Sequence, residues 1–382
     1  MLKVAIVAGE SSGDLLASKL MKQLKLHYPN SEIEFFGVGG ALMQEQGLVS
    51  YFNMEILSIG GYGLDILSAI PRIVYLRYKL IKEILKFKPD VFIGVDAPDF
   101  NFYVERKLKH YGIKTVHYIS PTIWAWRYNR IYSIKKSTDL MLCIFPMEEP
   151  IYHKENILAK FVGHPLALEI PINPDQAQAR TDLELTPNMS NLFTVLLGSR
   201  IGEIERFSQT IIDACSLIFK QIPNATFLFP LNNYNTYNRV VQLFEEKNVD
   251  FPYKILFNQT RNAIIASDMV IAKSGTVTLE VALCKKPLII CYRVSKFTKW
   301  LLEKRLTIKF VGQPNILLNE MVAPEVLQDA LTPDNLANEF MQLYNDHARL
   351  QQMIDKFHQL HQSLLVQNSA TSAQAILELI GK

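Results

Sequence analysis

An acidic turn follows a run of apolar residues at positions 91–95. The run Val-Phe-Ile-Gly-Val ends at Asp96, and Pro98 and Asp99 come directly afterwards. In an open α/β sheet, ligands bind outside the carboxyl ends of the strands, so an acid here is well placed to act on a substrate. Asp96 is therefore the candidate general base. The alternative is that Asp96 and Asp99 are turn and N-cap residues of a helix starting near Phe100.

A second polar turn follows the apolar run 193–197 in the C-terminal half. It consists of Gly198, Ser199 and Arg200, and a helix is predicted from Glu203 onward. A guanidinium group at this point can clamp a phosphate with two parallel hydrogen bonds. The turn is therefore a candidate phosphate site.

A third polar turn, Ser274, Gly275 and Thr276, opens a predicted helix after the strand at 269–272. The free N–H groups at a helix start can bind a pyrophosphate. Glu280 lies one helical turn later and is placed to accept hydrogen bonds from ribose hydroxyls. Capping alone also explains the serine and threonine. Asn315 offers one more polar contact.

These turns are positioned by apolar strands that alternate with helical stretches in both halves of the chain. The pattern predicts a doubly wound parallel α/β sheet in each half, joined by a proline-containing link at 170–190 and followed by helix over 334–380. The glycine turn at 9–14, which contains Glu10 and Ser12, suits an anion but is not a dinucleotide fingerprint. The predicted strands are 4–8, 33–38, 91–95, 114–119, 140–145, 193–197, 226–229, 253–256 and 269–272.

The segment 56–85 combines apolar residues with cations. Its cations are Arg72, Arg77, Lys79 and Lys82. Such a mixture suits a membrane interface or a lipid substrate. A core helix with a solvated basic face is an equally good interpretation.

The composition is that of a globular protein, with 49% hydrophobic and 20% charged residues in 382. Two domains account for this length. The net charge of +3 does not suggest nucleic-acid binding, and the four cysteines and eight histidines lack metal-type spacing. We predict no metal and no cofactor. No apolar run reaches ~18 residues, so the chain is expected to be soluble or peripheral to a membrane.

Six ordered motifs together resemble the lipid-A-disaccharide synthase family over essentially the whole chain. They are Gly-Glu-Ser-Ser-Gly-Asp (9–14), Asp-Ala-Pro-Asp-Phe-Asn (96–101), Tyr-Ile-Ser-Pro-Thr-Ile-Trp-Ala-Trp-Arg (118–127), Val-Gly-His-Pro-Leu (162–166), Gly-Ser-Arg-x-x-Glu (198–203) and Ser-Gly-Thr-Val-Thr-Leu-Glu (274–280). The sequence departs from the family pattern in three places: Leu197 replaces a proline, Met147 replaces a phenylalanine, and the segment 60–67 is a looser version of a glycine motif.

The resemblance implies a GT-B fold, with two Rossmann-like doubly wound α/β domains facing across a cleft. We place an acceptor and lipid-binding domain at 1–170, a UDP-sugar-binding domain at 190–345 and a helical tail at 346–382. The implied reaction is an inverting transfer from UDP-2,3-diacylglucosamine to the 6-hydroxyl of 2,3-diacylglucosamine 1-phosphate. It makes a β(1→6) bond and releases UDP. A homodimer on the cytoplasmic face of the inner membrane is also implied.

The resemblance assigns roles by position. Asp96 matches the family's essential acid, and Glu10 and Ser12 match polar residues of the N-terminal site, so these three are the candidate catalytic residues. The candidate UDP-sugar-binding residues come from the later turns: Gly198, Ser199, Arg200, Ser274, Gly275, Thr276, Glu280 and Asn315.

Two other classes of protein fit the same architecture, because a fold does not determine a function. One is a different UDP-sugar enzyme, such as a UDP-N-acetylglucosamine epimerase or a polyprenyl-linked transferase. The other is a lipid or nucleotide-sugar binding protein without catalysis. The Asp96 turn and the basic apolar segment argue against a soluble epimerase, and the presence of Asp96 and Arg200 argues against a non-catalytic protein.

Overall fold

The computed structural model describes residues 1–29, 32–57, 64–126, 128–186, 189–294, 309–365 and 372–382. These residues form two compact units, one of residues 1–165 with 364–382 and the other of residues 166–363. Each unit is built on one parallel sheet.

The first unit contains a seven-stranded sheet in the order β3-β2-β1-β4-β5-β6-β7, in which every pairing is parallel. Its central strands are buried, as expected where helices cover both faces of a sheet. The strands are β1 (Leu2–Ala8), β2 (Ile33–Val38), β3 (Leu48–Ser50), β4 (Val91–Val95), β5 (Lys114–Tyr118), β6 (Leu140–Cys143) and β7 (Ala159–Phe161).

The α-helices of the first unit connect these strands, and the last one returns from the end of the chain to pack on α1. They are α1 (Ser11–His27), α2 (Ala41–Glu45), α3 (Leu64–Phe87), α4 (Pro98–His110), α5 (Ile123–Trp126), α6 (Ile131–Ser137), α7 (Glu148–Lys154) and α17 (Ser372–Leu379). α8 (Pro165–Glu169) begins where the first unit ends.

The second unit contains a six-stranded parallel sheet in the order β10-β9-β8-β11-β12-β13. The strand order reverses between β8 and β11, which is where open α/β sheets bind their ligands. The strands are β8 (Leu192–Leu196), β9 (Thr226–Leu231), β10 (Tyr253–Phe257), β11 (Met269–Lys273), β12 (Leu288–Tyr292) and β13 (Glu325–Leu327).

The remaining helices belong to the second unit. They are α9 (Gln176–Asp182), α10 (Ile201–Gln221), α11 (Tyr234–Lys247), α12 (Thr260–Ala266), α13 (Val277–Leu283), α14 (Gln313–Leu318), α15 (Pro333–Asn345) and α16 (His347–Leu364). α10 buries Ile204, Phe207, Ile211 and Ile218, which recur at helical spacing.

The α/β architecture predicted from the sequence is confirmed, with three corrections to the elements. Residues 170–190 are not only a link, because α9 forms there and the buried Arg180 binds Asp268 at 2.8 Å. The helical region 334–380 is divided into three helices. Strands β3, β7, β12 and β13 were not predicted, because three-residue strands carry too little alternation to be recognised and β12 is a uniform apolar run.

Packing behind β4 leaves no room for a side chain at Gly94. A Cβ atom there would lie 2.3 Å from Glu105 Oε1 and 2.8 Å from Asn101 Cβ. Both neighbours are fully buried, and Glu105 Oε1 is held by His117 Nδ1 at 2.6 Å. The strand that leads to Asp96 therefore requires glycine at this point.

We expect Gly94→Ala to lower the free energy of unfolding by about 1–3 kcal/mol, because overpacking displaces Asn101 or Glu105. Gly202→Ala is the matched control, since no heavy atom lies within 4 Å of its added Cβ. That variant should be neutral or slightly more stable because Gly202 lies in α10. Urea unfolding measures both, and equal stabilities would contradict the packing argument.

Candidate active site

The turn at Asp96 has an uncommon backbone. Asp96 and Ala97 have φ values of +50° and +44°, and Pro98 then begins α4. Aspartate tolerates the left-handed region, but alanine rarely adopts it, and such strain concentrates at functional sites. Asp96 N–H donates to the Tyr118 carbonyl at 2.9 Å, and the buried Asn101 amide donates to the Asp96 carbonyl at 2.8 Å. The backbone of the turn is thus held from both sides.

The side chains of the two acids in this turn differ in their partners. The Asp96 carboxylate is half-buried and makes no hydrogen bond or ion pair with any described residue. Asp99 is exposed and forms a salt bridge with Arg130. Neither carboxylate caps α4, whose N-cap residue is Ala97. The capping part of that interpretation is therefore wrong for both side chains, although Asp96 does lie in the turn. Within the described part of the chain, no residue occupies the lone pairs of the Asp96 carboxylate.

The structure brings Glu10 and Ser12 to the same sheet edge as Asp96. β1 pairs with β4, with Ala8 opposite Val95, so the turns after the two strands are neighbours. A Cβ at Gly9 would lie 2.8 Å from the Ala97 Cβ, which shows how closely the turns approach. Both side chains are exposed. All three candidate catalytic residues are therefore accessible at one edge.

A cavity of about 630 Å³ lies beside these turns, where β1 and β2 end. Sequence reasoning missed the Asp14 carboxylate, which accepts hydrogen bonds from the N–H groups of Gly40 (2.8 Å), Leu42 (3.1 Å) and Met43 (3.2 Å). Ser11, which stands between Glu10 and Ser12, lines the cavity too. Its lining residues are Ser11, Asp14, Gly39, Gly40, Ala41, Gln44, Ser50, Phe52, Asn53, Met54 and Glu55.

The loop after β5 is fixed by a buried acid. Glu148 is 1% exposed and accepts hydrogen bonds from Trp124 Nε1 at 3.2 Å and Phe145 N–H at 3.2 Å. Burial raises the pKa of Glu148 to about 7, although these bonds and one from Ser120 favour the ionised form. The Trp126 side chain and Arg127 lie outside the described residues.

We expect Glu148 to make stability pH-dependent. Its pKa is higher in the folded protein, so its contribution is present below about pH 4.5 and is lost as the pH rises through 7. This loss is on the order of 3 kcal/mol. The unfolding free energy of wild type minus that of Glu148→Gln should therefore fall between pH 5 and 8. Glu45→Gln, at an exposed acid, is the control in the same urea titrations. A rising difference would contradict the expectation.

The second unit has a cavity of about 240 Å³ at the point where its strand order reverses. The structure brings five predicted residues together here, namely Gly198, Ser199, Ser274, Gly275 and Thr276. Ser274 Oγ donates a hydrogen bond to the Val311 carbonyl at 2.7 Å. This hydroxyl proton therefore stabilises the turn and is not directed at a ligand in the cavity. The other lining residues are Leu196, Glu203, Pro230, Leu231, Asn232, Thr260, Lys273 and Val277.

Three predicted binding residues do not line this cavity. Arg200 is the exposed N-cap residue of α10. Glu280 receives a hydrogen bond at 2.8 Å from Arg261, which also approaches Glu169 at 3.5 Å. Asn315 is fully buried. Its Nδ2 donates to the Ala323 carbonyl and the Glu325 carboxylate, and its Oδ1 accepts from the N–H groups of Val322 and Ala323. These residues remain predictions as binding residues.

Four polar residues of the cavity were missed from the sequence. Lys273 ends β11 and Asn232 follows β9, and Thr260 Oγ1 donates to Asn232 Oδ1 at 2.7 Å. Glu203 lies in the first turn of α10 and binds Lys273 at 2.9 Å. Lys273 could have been predicted as a cavity residue from its position at the end of a strand. The contact between Asn232 and Thr260 could not, because the two residues are brought together only by folding.

Two parallel α/β sheets, with a cavity where the strand order of the second sheet reverses, are typical of GT-B enzymes. Solved structures share this fold. UDP-GlcNAc 2-epimerase from Neisseria meningitidis, bound to UDP-GlcNAc, matches with a TM-score of 0.62 and 14% identity over 95% of this chain and 97% of that one. The epimerase from Methanocaldococcus jannaschii, with UDP-GlcNAc and UDP, matches with a TM-score of 0.58 and 14% identity over 100% and 99%. These identities establish the fold alone.

Sequence comparison then identifies the family. The family described as lipid-A-disaccharide synthetase matches residues 4–379. Lipid-A-disaccharide synthases from Chromobacterium violaceum and Vibrio parahaemolyticus are 44% and 41% identical. They cover 99% and 100% of this chain, and 97% and 99% of their own lengths. The chain belongs to the lipid-A-disaccharide synthase family and is a glycosyltransferase.

Proposed function

We propose that the chain transfers 2,3-diacylglucosamine from UDP to the 6-hydroxyl of 2,3-diacylglucosamine 1-phosphate. The observation that supports this most is the Asp96 carboxylate on a strained turn, which has no partner among the described residues, in a chain that matches this synthase family along its length. The epimerase alternative is not favoured, since the epimerases share only 14% identity while the synthases share about 40%.

In the proposed reaction, residues of the first unit act on the acceptor and residues of the second unit bind UDP. The Asp96 carboxylate takes the proton of the acceptor hydroxyl while its oxygen attacks the anomeric carbon of the donor. The bond from that carbon to the diphosphate breaks on the opposite face, so the configuration inverts and the electron pair leaves with UDP. We assign the acceptor to the first unit, beside Glu10 and Ser12, and UDP to the cavity of the second unit. Arg200, Glu280 and Asn315 remain candidate contacts of the nucleotide.

We expect Asp96→Asn to lower kcat by at least ~10²-fold, because it removes the base at nearly constant shape. Asparagine also tolerates a positive φ, so the turn should persist. UDP affinity, measured by calorimetry, should be unchanged. Asp99→Asn is the matched control in the same turn, because Asp99 is paired with Arg130 and is not assigned to chemistry. A near-normal kcat for Asp96→Asn would exclude Asp96 as the base.

We also propose a peripheral contact with the cytoplasmic face of the inner membrane, through α3. Val74, Tyr75 and Tyr78 are 54%, 55% and 57% exposed there. The Lys79 and Lys82 ammonium groups lie 4.6 Å from the ring centres of Tyr75 and Tyr78. Interfacial helices combine aromatic residues and cations in this way. No described helix is both long and apolar enough to cross a bilayer.

One of the four cations proposed for this contact serves another purpose. The Arg77 guanidinium packs over the rings of Phe100 and Tyr103, at 5.1 and 4.8 Å, and donates to the Asp99 carbonyl at 3.1 Å. Burial lowers the pKa of Arg77. The proposed membrane surface is therefore Arg72, Val74, Tyr75, Tyr78, Lys79 and Lys82. Residues 58–63 and the side chains of 64–70 lie outside the described residues.

We expect the triple variant Arg72→Gln, Lys79→Gln, Lys82→Gln to bind anionic vesicles more weakly than wild type. The attraction is electrostatic, so the difference should shrink at high salt. A triple variant of exposed lysines elsewhere in the unit, Lys22→Gln, Lys25→Gln and Lys136→Gln, matches the change in charge. Vesicle sedimentation would measure all three proteins. Equal binding by the two variants would show that net charge, not this surface, determines the contact.

The homodimer expected from the family resemblance is part of the proposal. It rests on that resemblance alone.

A further inference from the structure

The cavity of the second unit contains a cation to which no role has been assigned. Lys273 ends β11, directly before the turn Ser274–Thr276, and its side chain is only 17% exposed. A Cβ built at Gly275 would lie 4.0 Å from the Lys273 ammonium nitrogen. The ammonium group therefore lies beside the turn, on the side of the cavity.

Among the described residues, one acid and one aromatic ring contact this ammonium group, and the ring is that of Tyr292, with its centre 5.5 Å from Nζ. Glu203 Oε1 binds Lys273 Nζ at 2.9 Å, and Glu203 Oε2 accepts a hydrogen bond from Ser199 N–H at 3.1 Å. Burial acts to raise the pKa of Glu203, but the Lys273 ammonium lowers it below its usual range. Glu203 is thus ionised, and it joins the turns after β8 and β11 across the point where the strand order reverses.

The remaining lining gives the ammonium group no other anion. Lys273 and Glu203 are the charged residues among those that line the cavity. A lysine ammonium has three donors, and Glu203 occupies one of them. The others can serve an anionic ligand, while the ion pair keeps the cavity close to neutral before one binds.

We propose that Lys273 binds the diphosphate of the sugar nucleotide and that Glu203 positions its ammonium group. The proposal rests on the function proposed above. It adds a residue that stabilises the negative charge of the leaving group. When the bond from the anomeric carbon to the diphosphate breaks, the terminal phosphate gains negative charge. A cation fixed beside it interacts more strongly with that state than with the intact donor.

UDP and uridine distinguish this role from a structural one, because they differ only in the diphosphate. We expect Lys273→Gln to weaken UDP binding roughly 10- to 100-fold, the range for a lost hydrogen bond to a charged group. Uridine binding should be unchanged. Calorimetry measures UDP, and ligand-observed NMR measures uridine even when its binding is weak.

Two further variants complete the experiment. Lys254→Gln is the matched control, since Lys254 is a partly buried lysine of β10 that binds the Leu183 carbonyl and does not line the cavity. It should leave the ratio of UDP to uridine affinity unchanged. Lys273→Arg keeps a cation and should recover part of that ratio.

The results separate this inference from the proposed function. Equal losses of UDP and uridine affinity in Lys273→Gln, or no loss of either, would overturn the diphosphate role and leave the transferase proposal standing. The opposite combination is a selective loss of UDP affinity in Lys273→Gln together with a wild-type protein that makes no disaccharide from UDP-2,3-diacylglucosamine and its acceptor. That result would support the diphosphate site and overturn the proposed function.

Discussion

The Asn101 amide holds the turn on which the chemistry of this protein depends. It is fully buried, and its Nδ2 lies 2.8 Å from the Asp96 carbonyl and 3.4 Å from the carbonyls of Val95 and Val7. These carbonyls belong to the ends of two neighbouring strands, so one side chain joins both strands to the start of α4. The hydrogen bonds offset part of the strain of two successive left-handed residues. The backbone of Asp96 is therefore fixed by Asn101, and the Asp96 carboxylate is not needed to hold the turn.

The candidate base of the first unit and the cations of the second unit differ in whether they are paired with a group of opposite charge. A general base needs an accessible lone pair, and the described structure leaves the Asp96 carboxylate without a hydrogen-bonding or charged partner. A binding site for an anion needs a cation that is stable before the anion arrives. In the second unit Lys273 is paired with Glu203, and Arg261 with Glu280. Each arrangement suits its proposed role, proton transfer in the first unit and nucleotide binding in the second.

α3 illustrates how one amphipathic sequence serves two purposes. Leu80, Ile81 and Ile84 are buried, while the tyrosines and lysines one turn away face solvent. Arg77 faces inward, where aromatic rings and a backbone carbonyl replace water. The core helix with a solvated basic face is therefore confirmed for the described part of this segment, and the membrane contact of the exposed face stays a proposal.

The sequence by itself determined the alternation of strands and helices and the glycine- and acid-bearing turns that follow the strands. Buried parallel strands need continuous apolar runs, and ligand turns need small and polar residues, so both leave local patterns that can be read one segment at a time. The position of Asp96 at the end of β4 was predictable for this reason. So were the polar turns that contain Ser199, Ser274 and Gly275, because each follows an apolar strand, whereas their grouping depends on β8 lying beside β11.

Only the tertiary structure decided which described partners these side chains have. Asp96 and Asp99 are the same residue type three positions apart, yet Arg130, which is 31 positions from Asp99, binds only the second. Glu203 and Lys273 are 70 positions apart, and their pairing depends on the order of strands in the sheet. The sequence marks Asn315 as a polar residue near the turns, but only the structure shows that its Oδ1 accepts from backbone N–H groups seven and eight positions later. Hydrogen bonds and ion pairs depend on distances of about 3 Å between atoms remote in sequence, and the local pattern of residues does not contain those distances.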